Sequence, residues 1–112
     1  MSVDLKLKKD ELTALLDGEI DHHCARKLRE EIDEAAEHIR PRRLILDFSG
    51  VSFMDSSGVG LILGRCRLRN LWNGRVTIRN VPEKLKRIVS LAGLSELCDI
   101  EEGVSVENET DE

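Results

Sequence analysis

The chain opens with Val3-Asp4-Leu5-Lys6-Leu7-Lys8, an apolar-polar alternation with the period of a half-buried strand. Lys9-Asp10-Glu11 is a polar turn, and Leu12 to Leu16 is a second strand, so the two are expected to pair as a hairpin that Gly18 ends. From His22 to Ile39 the apolar positions are Ala25, Leu28, Ile32, Ala35 or Ala36, and Ile39. Steps of three and four make one apolar stripe, which predicts an amphipathic helix. Asp21 is its N-cap, and Pro41 stops it because proline cannot continue the hydrogen-bond ladder.

Leu44-Ile45-Leu46-Asp47-Phe48 is nearly continuous in apolar residues, as in a strand covered on both faces, and Ser49-Gly50 breaks it before Val51-Ser52-Phe53. A second helix follows from about Ser57 to about Trp72, with Val59, Ile62, Leu63, Cys66 and Asn70 on one side. Leu61, Leu68 and Leu71 widen its apolar surface and predict deep burial. Asn73-Gly74 is a turn, and Arg75 to Arg79 alternates as a strand. Pro82 suits the first turn of a third helix, with Leu85, Ile88, Val89 and Ala92 inward and Gly93 at its end. Leu94 to Ile100 supplies a last edge strand.

Strands alternating with helices in this way predict an α/β fold with a mixed, mostly parallel sheet and helices packed on it. At 112 residues the chain is one domain. Residues 1–100 carry the pattern, and 101–112 form an acidic tail, expected to be mobile, with little periodicity. A formal net charge of −5 disfavours nonspecific binding to nucleic acid. The basic runs Arg40 to Arg43 and Arg65 to Arg69 read as solvated helix ends. No apolar run approaches bilayer length and no signal pattern opens the chain, so the expected compartment is the cytoplasm, without membrane contact. Cys24, Cys66 and Cys98 are odd in number and lack close spacing, which fits free thiols in a reducing interior.

The candidate chemistry lies where a strand gives way to a helix, at Phe53-Met54-Asp55-Ser56-Ser57-Gly58-Val59-Gly60. A helix N-terminus presents unsatisfied N–H groups and a favourable dipole, so a serine there can cap the helix or carry a phosphate. Ser56 is placed at the N-cap, outside the helix and accessible, and Ser57 inside the first turn. Gly58, Gly60 and Gly64 match neither phosphate-loop nor dinucleotide spacing and are read as sites of close helix–sheet packing. A hydrolase reading of Ser56 with Asp55 and His22 or His23 lacks the Gly-x-Ser-x-Gly elbow and a positioned base. A metal reading of His22 or His23 with the cysteines has no supporting spacing. Neither an enzyme nor a cofactor is expected.

The Phe53 to Arg65 segment resembles the phosphorylation-site segment of bacterial anti-sigma factor antagonists, small STAS-domain proteins. Gly18-Glu19-Ile20-Asp21-His22-His23 resembles a second block of that family, in the form most like its sporulation anti-sigma-F branch. The resemblance implies a STAS fold, phosphorylation at Ser56, and partner contact through Asp21, His22, His23, Asp55, Ser56, Ser57 and Gly58. It implies two partners, an anti-sigma factor that is itself a serine kinase and a serine phosphatase. The family often carries Thr or Ser where this chain has Cys24, which removes a possible hydroxyl contact. The alternatives are a stress-response antagonist with the same biochemistry and a STAS domain that binds or scaffolds without being phosphorylated.

Overall fold

The structure, a computed structural model, describes residues 2–72, 74–96 and 98–101. Strand β1 (Ser2–Lys8) turns through Lys9 and Asp10 into β2 (Glu11–Ile20), and the two pair antiparallel from Lys8 opposite Glu11 to Ser2 opposite Asp17. Helix α1 (His22–Ile39), strand β3 (Arg43–Met54), helix α2 (Ser56–Trp72) and strand β4 (Arg75–Arg79) follow. A 3₁₀ turn (Glu83–Leu85) leads into α3 (Lys86–Leu91), and a second (Leu94–Glu96) precedes β5 (Asp99–Glu101). The sheet order is β1-β2-β3-β4-β5, with β2 to β5 parallel. This is the α/β architecture expected from the alternation of patterns.

A parallel sheet that advances one strand at a time, with one hand of crossover, places its helices on a single face. The core agrees. Leu12, Ala14 and Leu16 of β2, Leu44, Leu46 and Phe48 of β3, and Val76 and Ile78 of β4 share one buried cluster with residues from all three helices. Among these are Leu28 and Ile32 of α1, Leu61 and Ile62 of α2, and Val89 of α3. The alternate strand positions point the other way and are largely polar. There Arg43 bridges four strands, donating to Glu11 at 3.0 Å, to Thr77 at 3.0 Å and to Glu101. Burial alone would lower the Arg43 pKa, but its bond to Glu11 and the charges of Glu101 and Glu11 outweigh it and raise the value. Burial would raise the Glu101 pKa, yet Arg79 and then Arg43 hold it low.

Both central strands outrun the expected breaks. Strand β2 passes through Gly18, at φ +104°, to Ile20, and β3 passes through Ser49-Gly50 to Met54. The register explains the persistence. Leu15 faces Asp47 but Asp17 faces Gly50, and Gly18 faces Val51 but Glu19 faces Phe53. Strand β3 thus carries two extra residues, and such bulges bend a strand without ending it. Gly50 is required at the first, because a Cβ there would sit 2.9 Å from the Leu16 carbonyl oxygen and 2.7 Å from Asp17 Oδ1.

The end of the chain is shorter in regular structure than the pattern predicts. The third helix has only six α-helical residues after its 3₁₀ turn, and the edge strand is confined to Asp99–Glu101. Leu94, expected in that strand, is instead a fully buried anchor at the start of a 3₁₀ turn. Glu101 belongs to the sheet rather than to the tail, whose remaining residues lie outside those described, as do Asn73 and the side chains of Asn70 and Leu71.

Arg65 corrects a further expectation. It is no solvated helix end but 2% exposed, with its Nε 2.8 Å from Asp33 Oδ1, joining α2 to α1. The contact is an ion pair without hydrogen-bond alignment, and Arg65 Nη1 has no hydrogen-bond partner among the described residues. Burial raises the Asp33 pKa and lowers that of Arg65, so desolvation opposes the pair's attraction. Arg40 and Arg42 are exposed as expected, but they lie in the α1–β3 connection. Removing one partner of such a pair strands a buried charge. Asp33→Asn is therefore expected to cost about 3 kcal/mol, whereas Asp33→Leu with Arg65→Met is expected to be close to neutral. Urea denaturation of the three proteins measures both.

Candidate functional site

The site is built by the ends of β2 and β3. Ile20 pairs with Met54, and each is followed by an aspartate that starts a helix. The Asp55 N–H donates to the Ile20 carbonyl at 3.2 Å, so the two helix starts are tied side by side.

Asp21 caps α1. Its Oδ1 accepts from the His23 N–H at 3.0 Å and the Cys24 N–H at 3.2 Å. Cys24 Sγ lies 3.0 Å from Asp21 Oδ1 and 3.3 Å from the Glu19 carbonyl oxygen, so the thiol is engaged within the helix start. The Cys24 thiol, then the backbone N–H groups of Cys24 and His23, hold the Asp21 carboxyl below the usual carboxylate range.

Asp55 caps α2, which corrects the placement of Ser56 as the cap. Asp55 Oδ1 accepts from the Ser57 N–H at 2.7 Å, and its carbonyl accepts from the Gly58 N–H at 2.9 Å. A carboxylate meets the positive helix end better than a neutral hydroxyl does. Ser56 is therefore the first helical residue and is exposed, while Ser57 is half-buried. Gly58 is buried because the helix start closes onto the sheet. A Cβ there would fall 2.1 Å from Met54 Cγ and 2.4 Å from Met54 Sδ.

Gly60 and Gly64 do not share that reason, since a Cβ at either meets nothing within 4 Å. Gly60 instead lines a groove of about 360 Å³ between α1 and α2, with Ser57 and Leu61 facing His22, Ala25, Arg26 and Arg29. The sequence reading missed this groove. Its signal is Gly60, a glycine inside a helix with no packing role, unfavourable there by about 1 kcal/mol against alanine. His22 and His23 are exposed, with ring centroids 4.0 Å apart. Among the described residues, no three histidine, cysteine or carboxylate side chains converge as metal ligands would. Among them, too, no helix is long and apolar enough to cross a membrane.

All seven residues singled out in the sequence thus lie at these two adjacent helix starts. The model of the family described as STAS domain matches residues 3–106. The chain belongs to the STAS domain family. It is 31% identical over 100 residues to the anti-sigma F factor antagonist of Paenibacillus polymyxa, covering 89% of this chain and 86% of that protein. It is 32% identical over 100 residues to the anti-sigma-B factor antagonist of Bacillus subtilis strain 168, covering 89% and 90%. Among solved structures, the anti-sigma factor antagonist SpoIIAA in its unphosphorylated form superposes with a TM-score of 0.72 at 28% identity, covering 98% of this chain and 96% of that one.

Three variants test the geometry of the site. Gly58→Ala should lower stability by about 1–3 kcal/mol through overpacking against Met54. Gly60→Ala should raise it by up to about 1 kcal/mol, and thermal melts separate the two signs. For Asp21, a depressed carboxylate stabilises the fold above the usual carboxylate range and loses that contribution as pH falls through its lowered folded value. The stability difference between wild type and Asp21→Asn should therefore shrink on acidification, as urea melts across a pH series would show.

Proposed function

We propose that this STAS domain is an anti-sigma factor antagonist that works by binding, with Ser56 as its switch. In its unphosphorylated form it binds an anti-sigma factor through Asp21, His22, His23 and Asp55 to Gly58, and the sigma factor held there is released. That anti-sigma factor is also a serine kinase. It transfers the γ-phosphoryl group of ATP to Ser56 Oγ, forming a new P–O bond as ADP and the hydroxyl proton leave, and the interaction ends. A serine phosphatase restores the hydroxyl. The observation that carries this reading is the exposed Ser56 hydroxyl on the first helical residue of α2, beside the second capped helix start.

The energetics support a local switch. A phosphate adds about −1.5 to −2 charge. The N-terminus of α2 offsets part of it, so the fold tolerates the group. A carboxylate of the partner about 4 Å away would cost up to about 4 kcal/mol at intermediate dielectric. Each 1.4 kcal/mol is about tenfold in affinity, so no refolding is needed to end binding. The Asp21-His22-His23 block favours the sporulation branch. The similar identity to the anti-sigma-B factor antagonist favours, as a second reading, the same switch on a stress-response sigma factor.

Intact mass after incubation with an anti-sigma kinase of either branch and ATP tests the proposal. One phosphate is expected on wild type and on Ser57→Ala, and none on Ser56→Ala. Ser56→Ala is expected to bind the kinase constitutively, and Ser56→Asp at least tenfold more weakly. Absence of phosphate on wild type with both kinases would reduce Ser56 to a residue of the helix start and remove the switch.

A further inference from the structure

The end of the molecule opposite the capped helices is charged in the opposite sense to the chain as a whole. The β1–β2 turn presents Lys8 and Lys9, both exposed, and the α1–β3 connection presents Arg40 and Arg42, also exposed. The two loops are bonded together, since the Asp10 carbonyl accepts from the Arg42 N–H at 2.8 Å and the Arg43 N–H at 3.3 Å. The carboxylates at this end are Asp10, Glu11, Asp99 and, one turn before the helix end, Glu37. Glu11 is held by Arg43 and Asp99 by Arg75, which leaves Lys8, Lys9, Arg40 and Arg42 in excess of Asp10 and Glu37.

The backbone marks this cluster a second time. Lys9 has φ +58° and Arg40 has φ +50°. The first is the leading residue of a two-residue hairpin loop and the second caps the C-terminus of α1, both places where glycine is the relaxed choice. Long cationic side chains occupy both. The helix dipole accounts for a cation at Arg40; nothing in the fold calls for one at Lys9.

Two aliphatic side chains reach the same end. Helix α1 begins beside Ser2 and Val3, where His23 and Cys24 line a shared groove, so α1 and β1 run in the same direction. This brings Ile39, 37% exposed, and Leu7, 54% exposed, to the end that carries the cations. Aliphatic contacts rimmed by charge describe a protein-docking surface. A membrane surface would favour Trp or Tyr anchors, and a continuous phosphate backbone would meet Asp10 and Glu37.

We propose that this basic pole is a second docking surface, separate from the Ser56 surface, that takes an acidic segment of a partner protein with aliphatic residues among its carboxylates. The two surfaces lie at opposite ends of the strands in a molecule 34 Å across. That is several times the Debye length of about 8 Å at physiological ionic strength, so charge added at Ser56 leaves the pole unaffected.

A fluorescent peptide of alternating glutamate and valine, followed by anisotropy at low and at physiological salt, tests this. Wild type is expected to bind it, more weakly as salt rises. Lys9→Gly, Arg40→Gly and Arg42→Glu are each expected to weaken binding about fivefold. The glycine variants relax the backbone and should keep or raise the melting temperature, which separates lost docking from lost folding. Leu7→Ser should also weaken binding, while Ser56→Asp should bind the peptide as wild type does. No binding by wild type at low salt, or unchanged binding by the pole variants, would overturn the proposal. So would loss of peptide binding in Ser56→Asp, or tighter binding to a DNA duplex or phosphatidylserine vesicles than to the peptide.

Discussion

The pairing of Ile20 with Met54 is the constraint on which the site depends. Parallel strands end at the same level only if their register is held to the last residue. Here the two bulges in β3 absorb its greater length, so both strands finish together. Each then meets an aspartate whose carboxylate accepts the first free N–H groups of a helix. The hydrogen bond from Asp55 to Ile20 closes the arrangement, and Gly58 lets α2 descend onto Met54 without a side chain between. Exposure of Ser56 is a consequence of this geometry. The first residue after a cap points away from the sheet that the following turn covers.

Along their lengths the two helices are joined by a different interaction. Near the site they border a groove in which Gly60 presents bare backbone. One turn further along α2, the buried Arg65 reaches Asp33, which is half-buried. Such a pair contributes little net stability, because desolvation consumes most of the attraction. It does set which α1 and α2 registers are tolerated, since any slip would leave Arg65 buried without a countercharge. Arg29 of the groove lining is close enough to act on both charges of the pair, so groove and pair are electrostatically linked.

The order of elements was legible because each strand and helix carries its own period, and because Asp, Pro and Gly punctuate the junctions. Asp21 is legible as a cap because no other capping residue competes with it at the start of α1. Asp55 is not legible as one because Ser56 and Ser57 are also good caps, and only the position of the Ser57 N–H shows which residue receives it. Gly18 and Ser49-Gly50 look like strand ends in one dimension. They are bulge residues because the neighbouring strand supplies the missing hydrogen bonds, which no local pattern encodes. The burial of Arg65 is hidden from the sequence for a similar reason. A run of arginines looks solvated until a partner on another helix, Asp33, is placed against one of them.

The charge distribution of the chain is also a property of the fold rather than of its composition. A net charge of −5 describes an acidic protein, yet Lys8, Lys9, Arg40 and Arg42 meet at one end while the capping carboxylates sit at the other. Because water screens charge over less than the length of a strand, a partner at either end responds to local charge and not to the net value. The capped end sets carboxylates against positive helix termini, and under the proposed function a phosphate on Ser56 would be the charge added there. Such a phosphate would act on a partner at the capped end through local charge, leaving the basic end to recognise its own partner.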